Sequence, residues 1–162
     1  MIRKAKLKDA PAIHALLKSW ADKDLLIGRS LSDICDNLRD FFVYEQRGRV
    51  IGCGALHLTW IDLAEIRSVA VDPRAHRAGI GTALVEACLA DARTLGVPRV
   101  FILTFAPKFF TRFGFRRVPK ETFPHKIWVE CVGCKYFPDC KEVAMALRLK
   151  AKPNGRKKKA KA

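Results

Sequence analysis

The sequence contains no apolar run that approaches the ~20 residues needed to cross a bilayer. The basic stretch within residues 1–11 is not followed by the apolar segment of a secretory signal. Acidic residues are also scarce, because 16 Asp and Glu stand against 31 Lys and Arg. We therefore expect a cytoplasmic protein with no membrane partner and a large excess of positive charge.

This positive charge is unevenly distributed along the chain. Seven of the 31 basic residues fall in the last fourteen positions, which leaves +8 on residues 1–148. The composition predicts a disordered basic tail over residues 150–162. We find no recognisable RNA- or DNA-binding module, so we expect nucleic acid to bind only non-specifically, through this tail. The excess on residues 1–148 also suits a ligand rich in phosphates or carboxylates.

A length of 162 residues is typical of one domain. We place this domain at residues 1–149, without internal repeats, and the sequence leaves its oligomeric state open, a homodimer included. The six cysteines are interpreted as reduced thiols, because no secretory signal supports disulfides. Cys35, Cys53 and Cys88 lie singly in apolar patterns and are expected to behave as small hydrophobic residues.

Hydrophobic periodicity and turn residues predict a mixed α/β sheet. Asp9 and Pro11 favour a helix start, and Ser30 with Asp33 predicts a second one. The expected helices are residues 10–20, residues 31–38, residues 79–95 and a short helix through Phe109 and Phe110. The expected strands are residues 3–7, 41–46, 50–58, 65–71, 100–105, 115–118 and 143–149.

A glycine-containing loop joins strand 65–71 to helix 79–95. Backbone N–H groups at the start of a helix are unpaired and lie at the positive end of its dipole. Gly79 and Gly81 would let this backbone approach a pyrophosphate closely, while Arg74, His76 and Arg77 add groups suited to further phosphate oxygens. A pair of glycines alone is weak evidence, because an ordinary tight turn has the same pattern.

The segment VDPRAHRAGIGTALV resembles the acetyl-CoA loop of the GNAT acetyltransferases, whose pattern is Q/R-x-x-G-x-G/A. His76 stands where that family usually has Gln or Arg. The resemblance covers about residues 2–149 and implies a splayed, mixed β-sheet in one domain, with acetyl-CoA as co-substrate lying between residues 68–71 and 100–105. The cofactor-binding residues that it implies are Val69, Ala70, Val71, His76, Arg77, Ala78, Gly79, Ile80, Gly81 and Thr82.

Within this superfamily, the sequence is similar to the short, single-domain type of N-acetylglutamate synthase. The similarity lies in RS at residues 29–30, DFFVYE from residue 40, DLAEIRSVAV from residue 62, KFFTRFGFRRV from residue 108 and FPHKIWVECVGCKYFPDCKEVAM from residue 123. It implies acetylation of the α-amino group of glutamate, a step of arginine biosynthesis. The acceptor would then be a small amino acid.

Acetyl transfer needs a base for the amine and donors for the developing oxyanion. Glu65 resembles the carboxylate that many family members use as the general base. Main-chain N–H groups around Val69 and Ala70 would polarise the thioester carbonyl, so we expect direct transfer without an acyl-enzyme. The position of the family's usual tyrosine acid is occupied by Phe110, and we assign no general acid.

A substrate with two carboxylates requires cationic partners, preferably guanidinium groups. Our candidates are Arg29, Arg67 and Lys126. Arg67 lies two residues after Glu65 and therefore projects from the same strand face. Each of these residues could equally be a solvated surface charge. His57 and His125 are interpreted as local hydrogen-bonding residues.

Cys131, Cys134 and Cys140 form the pattern CxxCx5C. Closely spaced cysteines in a cytosolic chain suggest zinc, with His125 or a distant cysteine as the fourth ligand. No second CxxC pair supports a metal site, so reduced thiols that pack the substrate-side wall are the alternative.

The basic tail leaves open a function as a basic nucleic-acid-binding protein, and two further functional hypotheses also remain open. The chain could be a GNAT that acetylates another amine, such as glutamine, a protein N-terminus or a small toxic amine, since fold resemblance cannot separate these acceptors. It could also bind CoA without turnover, as a scaffold.

Overall fold

A computed structural model of the chain describes residues 1–75, 77–123, 130–136 and 139–150. The described strands form one seven-stranded sheet with the order β1-β2-β3-β4-β5-β7-β6. The strands are β1 Ile2–Lys4, β2 Phe41–Gln46, β3 Arg49–Trp60, β4 Leu63–Val71, β5 Arg99–Thr104, β6 Arg116–Arg117 and β7 Val143–Arg148.

Helices cover both faces of this sheet. Buried residues of α3 pack with Leu56, Ala64 and Ile66 of β3 and β4 on one face. On the other face, α1 and α2 bury Ile13 and Ile34 against the central strands. The helices are α1 Ala10–Ala21, α2 Leu31–Asp36, α3 Ile80–Leu95 and α4 Pro107–Thr111.

The structure confirms the predicted fold class and the order of elements. Gly96 ends α3 in the left-handed conformation with φ of 77°, as expected of a C-terminal glycine cap. The Ser30 hydroxyl accepts a hydrogen bond from the Asp33 N–H at 3.1 Å and caps α2. The expected helix 31–38 was too long, because α2 ends at Asp36 and Leu38–Asp40 form a separate 3-10 turn.

Asp9 does not cap α1 through its side chain, contrary to expectation. Its carboxylate instead accepts the Lys6 N–H at 2.7 Å and the Arg3 guanidinium at 2.7 Å. These bonds join the chain before α1 to strand β1. The described strands otherwise differ from the predicted ones only at their ends.

The parallel pair β4 and β5 positions the candidate site. Residues 63–65 pair with residues 99–101. Both strands lie wholly within the described residues, and they do not pair with each other at any other position. Beyond Glu65 the two strands therefore separate. Residues 66–71 and residues 102–104 are not paired with each other across this gap, so a third extended segment can pair with their backbone groups.

A β-bulge interrupts β4 at this gap. Ala70 pairs with Cys53 and Arg67 pairs with Ala55, so Ser68 and Val69 together oppose the single residue Gly54. Ser68 has φ of 57°, a left-handed value that is uncommon for a residue with a side chain. The bulge therefore reverses the alternation of side chains along β4.

Odd-numbered residues of β4 consequently lie on one face of the sheet before the bulge and on the other face after it. Arg67, before the bulge, pairs with Ala55, which packs on the α1 side of the sheet. Val69 and Val71, after the bulge, pack on the α3 side with Leu84 as a neighbour. Glu65 and Arg67 thus share the face that lies under α1 and α2.

Candidate functional site

Glu65 is the third residue of β4 and lies where β4 and β5 begin to separate. Its side chain is 13% exposed. Burial raises the pKa of its carboxyl group from 4.5 to about 7, against the lowering effect of the guanidinium groups of Arg67 and Arg29. A carboxylate with this pKa can accept a proton from an amine near neutral pH.

Two guanidinium groups converge on this carboxylate. Nη1 of Arg67 lies 3.7 Å from Oε2 of Glu65 and 3.4 Å from Oε2 of Glu130, and its side chain is only 7% exposed. Arg29 donates from Nε to the Ser68 hydroxyl at 3.1 Å and pairs through Nη1 with Asp33 at 3.1 Å. The structure therefore brings the predicted residues Arg29, Arg67 and Glu65 together.

The bulge and the α2 cap hold Arg29 in this place. Ser68 presents its hydroxyl to Arg29 from the bulge, and Asp33, in the first turn of α2, binds the other end of the guanidinium. The Asp33 side chain thus binds Arg29, while its backbone N–H donates to the hydroxyl of the cap residue Ser30. Lys126, the third predicted substrate residue, lies outside the described residues.

The start of α3 has the backbone geometry that the predicted phosphate site requires. Gly79 is its N-cap residue, with φ of 75° and no side-chain cap. Arg77 also has a left-handed φ, of 73°. A Cβ atom at Gly81 would lie 3.4 Å from the Phe109 ring and 3.8 Å from Val71. Because the first N–H groups of a helix have no partner within it, and no side chain caps α3 at Gly79, these groups can bind an anion.

One predicted cation is already engaged within the protein. The Arg74 guanidinium pairs with both carboxylate oxygens of Asp72, at 3.1 and 2.9 Å. Arg77 and Arg112 are better placed than Arg74 to meet phosphate oxygens, since neither has such an ion pair among the described residues. His76 lies outside the described residues.

Sequence reasoning did not identify Arg112. Its Nη2 donates to the Thr82 hydroxyl in the first turn of α3 at 3.2 Å, and its guanidinium lies 5.0 Å from the centre of the Phe109 ring. Arg112 belongs to the KFFTRFGFRRV block, but nothing in that block indicates that α4 packs beside the start of α3. The remaining predicted cofactor residues Val69, Ala70, Val71, Ala78 and Ile80 lie along the bulge and this loop.

Phe110, at the position of the family's usual tyrosine acid, is buried at 7% exposure among aromatic rings. Its ring centre lies 4.9 Å from that of Phe109 and 5.9 Å from that of Phe115. A phenyl ring cannot donate a proton, so this position supplies packing.

Cys131, the first cysteine of CxxCx5C, lies close enough to Glu65 to interact with it electrostatically. Burial raises the pKa of the Cys131 thiol, and the neighbouring Cys140 and Cys134 raise it further. In residues 1–75, 77–123, 130–136 and 139–150, no group of three or more His, Cys, Asp or Glu side chains is arranged to hold a metal ion. His125, the predicted fourth ligand, lies outside these ranges.

A cavity of about 680 Å³ lies elsewhere, between α1, the turn after β2 and the loop after β4. Its charged groups are largely paired with one another, since Arg3 binds Asp9 and Glu45 at 2.7 and 2.6 Å. Glu65 does not line this cavity. The candidate site is instead the open groove between β4 and β5.

The chain belongs to the GNAT family of acetyltransferases, whose model matches residues 8–115. An uncharacterized N-acetyltransferase of Chlorobaculum tepidum is 41% identical over 91% of this chain and 96% of its own length. An amino-acid acetyltransferase of Mycobacterium tuberculosis is 44% identical over 73% of this chain and 69% of its own length.

Solved structures give the same result. A Mycobacterium tuberculosis protein in complex with CoA has a TM-score of 0.79 and 36% identity, covering 92% of this chain and 99% of that one. The N-acetylglutamate synthase of Neisseria gonorrhoeae, complexed with coenzyme A and N-acetyl-glutamate, has a TM-score of 0.83 and 27% identity. The superposition includes 93% of this chain and 35% of that longer protein.

The protein is therefore an acetyltransferase with acetyl-CoA as its co-substrate. In the part of the chain that the structure describes, no helix combines the length and apolar character that crossing a bilayer requires.

Proposed function

We propose that the protein acetylates the α-amino group of L-glutamate, the reaction of an N-acetylglutamate synthase in arginine biosynthesis. The observation that carries this proposal is the placement of Arg29 and Arg67 beside Glu65 on one face of the sheet. Two guanidinium groups match the two carboxylates of glutamate. The relatives named amino-acid acetyltransferase and the neighbour crystallised with N-acetyl-glutamate support the same acceptor.

In this proposal the acceptor binds under α1 and α2. Its carboxylates contact Arg29 and Arg67, which places the α-amino group near the Glu65 carboxylate. Glu130 pairs with Arg67 at 3.4 Å and its side chain is 57% exposed, so the carboxylate of the substrate can replace that of Glu130. Lys126 remains a proposed third contact.

Acetyl-CoA is proposed to lie in the gap between β4 and β5. Its diphosphate would contact the N–H groups of residues 77–82, with Arg77, Arg112 and His76 nearby. Main-chain N–H groups around Val69 and Ala70 would polarise the thioester carbonyl while the amine attacks it. Glu65 removes a proton from the amine, directly or through water.

CoA then leaves as a thiolate, without an acyl-enzyme. Burial raises the pKa of Cys53 and of Cys88 to about 12, so neither is a thiolate at neutral pH. A departing thiolate with pKa near 8.5 can be protonated by solvent. No side-chain acid is required, in agreement with the phenyl ring at Phe110.

The proposal is tested by measuring CoA thiol release from acetyl-CoA with glutamate, glutamine, alanine and an N-terminal peptide as acceptors. We expect saturable release with glutamate at a kcat/KM at least tenfold above that with alanine, because alanine lacks the second carboxylate. Release that is faster with glutamine or the peptide would retain the acetyltransferase and reject glutamate as its substrate.

The pH dependence of the reaction follows from Glu65. The base must be ionised and its pKa lies at about 7, so kcat/KM for glutamate should rise with pH, about tenfold per unit below pH 7. The rise should level off above the pKa, once correction is made for ionisation of the acceptor amine. A profile of the corrected rate that is flat between pH 5.5 and 8 would contradict a base at this position.

Gly79 offers a test of the CoA loop with a matched control at the other end of α3. Gly79 and Gly96 have φ of 75° and 77°, and a Cβ atom at either position would meet nothing within 4 Å. Alanine at either site should therefore cost a similar ~1–2 kcal/mol of folding free energy. Only Gly79→Ala should raise the KM for acetyl-CoA, by about tenfold, since its backbone distortion alters the N–H groups that face the diphosphate.

Initial rates and thermal unfolding of both variants measure these effects. Equal KM values for acetyl-CoA in Gly79→Ala and Gly96→Ala would show that the loop does not hold the diphosphate.

A further inference from the structure

A second titratable pair lies on the same sheet face as Glu65. Nδ1 of His57 lies 2.6 Å from Oδ2 of Asp40, and the two side chains are 22% and 24% exposed. Asp40 ends the 3-10 turn before β2, and His57 lies in β3. The acetyl-transfer steps described above do not use this pair.

The sheet register places His57 beside Glu65. The two residues are direct partners in the antiparallel pairing of β3 and β4. Side chains of such partners project from one face with Cβ atoms ~4.5–5.5 Å apart. Because Asp40 engages Nδ1, Nε2 is the ring nitrogen that remains for proton exchange with Glu65.

A cavity leads from this pair toward solvent. It has a volume of about 340 Å³ and is lined by His57, Asp40, Leu58 and residues 35–39. Glu65 does not line it. His57 therefore lies between the cavity and the buried carboxylate, where it can pass a proton from one to the other.

We propose that His57, oriented by Asp40, is a positioning residue that carries the proton away from Glu65 after each acetyl transfer. The inference rests on the proposed role of Glu65 as the general base. The proton leaves the Glu65 carboxyl oxygen and binds Nε2 of His57, directly or through one water. The resulting imidazolium is paired with the Asp40 carboxylate and releases the proton to water in the cavity, which restores the Glu65 carboxylate.

Other charged groups around Glu65 are less suited to this task. Arg67 approaches it from β4, Arg29 from the chain before α2, and Glu130 and Cys131 from the segment before residue 137. Arginine does not release its proton at neutral pH. His57 also interacts electrostatically with Glu65, and histidine is the residue type whose ordinary pKa, near 6.5, suits proton exchange close to neutral pH.

The first test needs no acceptor. Carbon-13 NMR of the Glu65 carboxyl group should show a two-step titration in the wild type, because its proton equilibrium is coupled to that of His57. In His57→Asn, whose amide can still donate to Asp40, Glu65 should titrate in one step at a higher pH. His14→Asn, on α1, serves as the control and should leave the two-step curve unchanged. Identical Glu65 titrations in the wild type and His57→Asn would overturn the inference.

The second test is kinetic. His57→Asn should lower kcat by about tenfold in dilute buffer, less than the ~10²-fold or more expected on loss of a general base. Added imidazole should restore at least part of this loss, a result that a purely structural role for His57 would not produce. Thermal stabilisation by CoA, equal to that of the wild type, verifies that the variant is folded.

The outcomes separate this inference from the proposed function. If glutamate is acetylated and Glu65→Gln abolishes turnover, but His57→Asn matches the wild type at every pH and buffer concentration, the proton route is wrong and the proposed function stands. If the wild type acetylates none of the acceptors, the proposed function is wrong, and the NMR titration still decides whether His57 and Glu65 are coupled.

Discussion

Glu65→Gln is expected to lower kcat for acetyl transfer by about 10²- to 10⁴-fold. The amide has the shape of the carboxyl group but cannot accept the proton of the amine. The KM for acetyl-CoA should remain within about threefold of the wild type, since Glu65 lies on the face of the sheet that is proposed to bind the acceptor. Steady-state rates of CoA thiol release with glutamate measure both values.

The control for this experiment is Glu86→Gln, a change of the same charge on the exposed side of α3. It should leave kcat unaltered. Activity of Glu65→Gln above a tenth of the wild-type value would exclude Glu65 as the general base.

The same substitution should not lower stability. The pKa of Glu65 is about 7 in the folded chain and 4.5 as its ordinary value, so between these pH values the folded state holds more protons than the unfolded state. Stability then falls as pH rises through this window. Glu65→Gln removes this fall, and its thermal midpoint at pH 8 should equal or exceed that of the wild type.

Arg67→Ala is expected to reduce kcat/KM for glutamate by about 30- to 1,000-fold, the effect of removing one partner of a buried charge pair. The Arg67 side chain is 7% exposed and lies within 4 Å of two carboxylates. Its loss would remove a carboxylate contact and leave Glu65 without the guanidinium group that lies 3.7 Å from it. The loss should be greater with glutamate than with alanine as the acceptor.

Two controls make the Arg67 result specific. Arg116→Ala, on the exposed strand β6, should have no effect on either substrate. Arg67→Lys should recover only part of the activity, because an ammonium group cannot bind a carboxylate bidentately. An equal loss of activity with glutamate and with alanine would indicate that Arg67 keeps Glu65 ionised and does not select the acceptor.

Measurement at several pH values separates these two roles. The guanidinium of Arg67 lowers the pKa of Glu65, so Arg67→Ala should also move the rising part of the pH profile to higher pH.

Much of the fold could be predicted because its signals are local. The periodic apolar residues of α3 lie between Gly79 and Gly96, and the structure has both glycines in left-handed conformations at its two ends. The continuous apolar run of β5 likewise predicts a buried strand. Such patterns depend on neighbouring residues alone, so a single sequence contains them.

The candidate site was partly predictable for the same reason. Glu65 and Arg67 alternate along one strand, and their shared face follows from strand geometry. The position of Arg29 beside them depends on Ser68 and Asp33, and was suggested by family resemblance. The roles of all three residues remain predictions until the variants are measured.

Other features could not be predicted, because they arise from contacts between distant segments. The pairing of His57 with Glu65 requires the register of β3 and β4, and the position of Arg112 requires α4 to pack beside α3. The Arg74 side chain binds Asp72, two residues away, although a conformation directed at phosphate was equally compatible with the sequence.

The left-handed residue Ser68 has a consequence for how the protein can change over evolution. Because the bulge reverses the alternation of β4, Glu65 and Arg67 lie on the sheet face under α1, whereas Val69 and Val71 pack on the α3 side. Under the proposed function, substitutions at Arg29 or Arg67 can therefore alter which amine is selected without disturbing the segment proposed to bind acetyl-CoA. A single strand thus contains two regions that selection can modify independently.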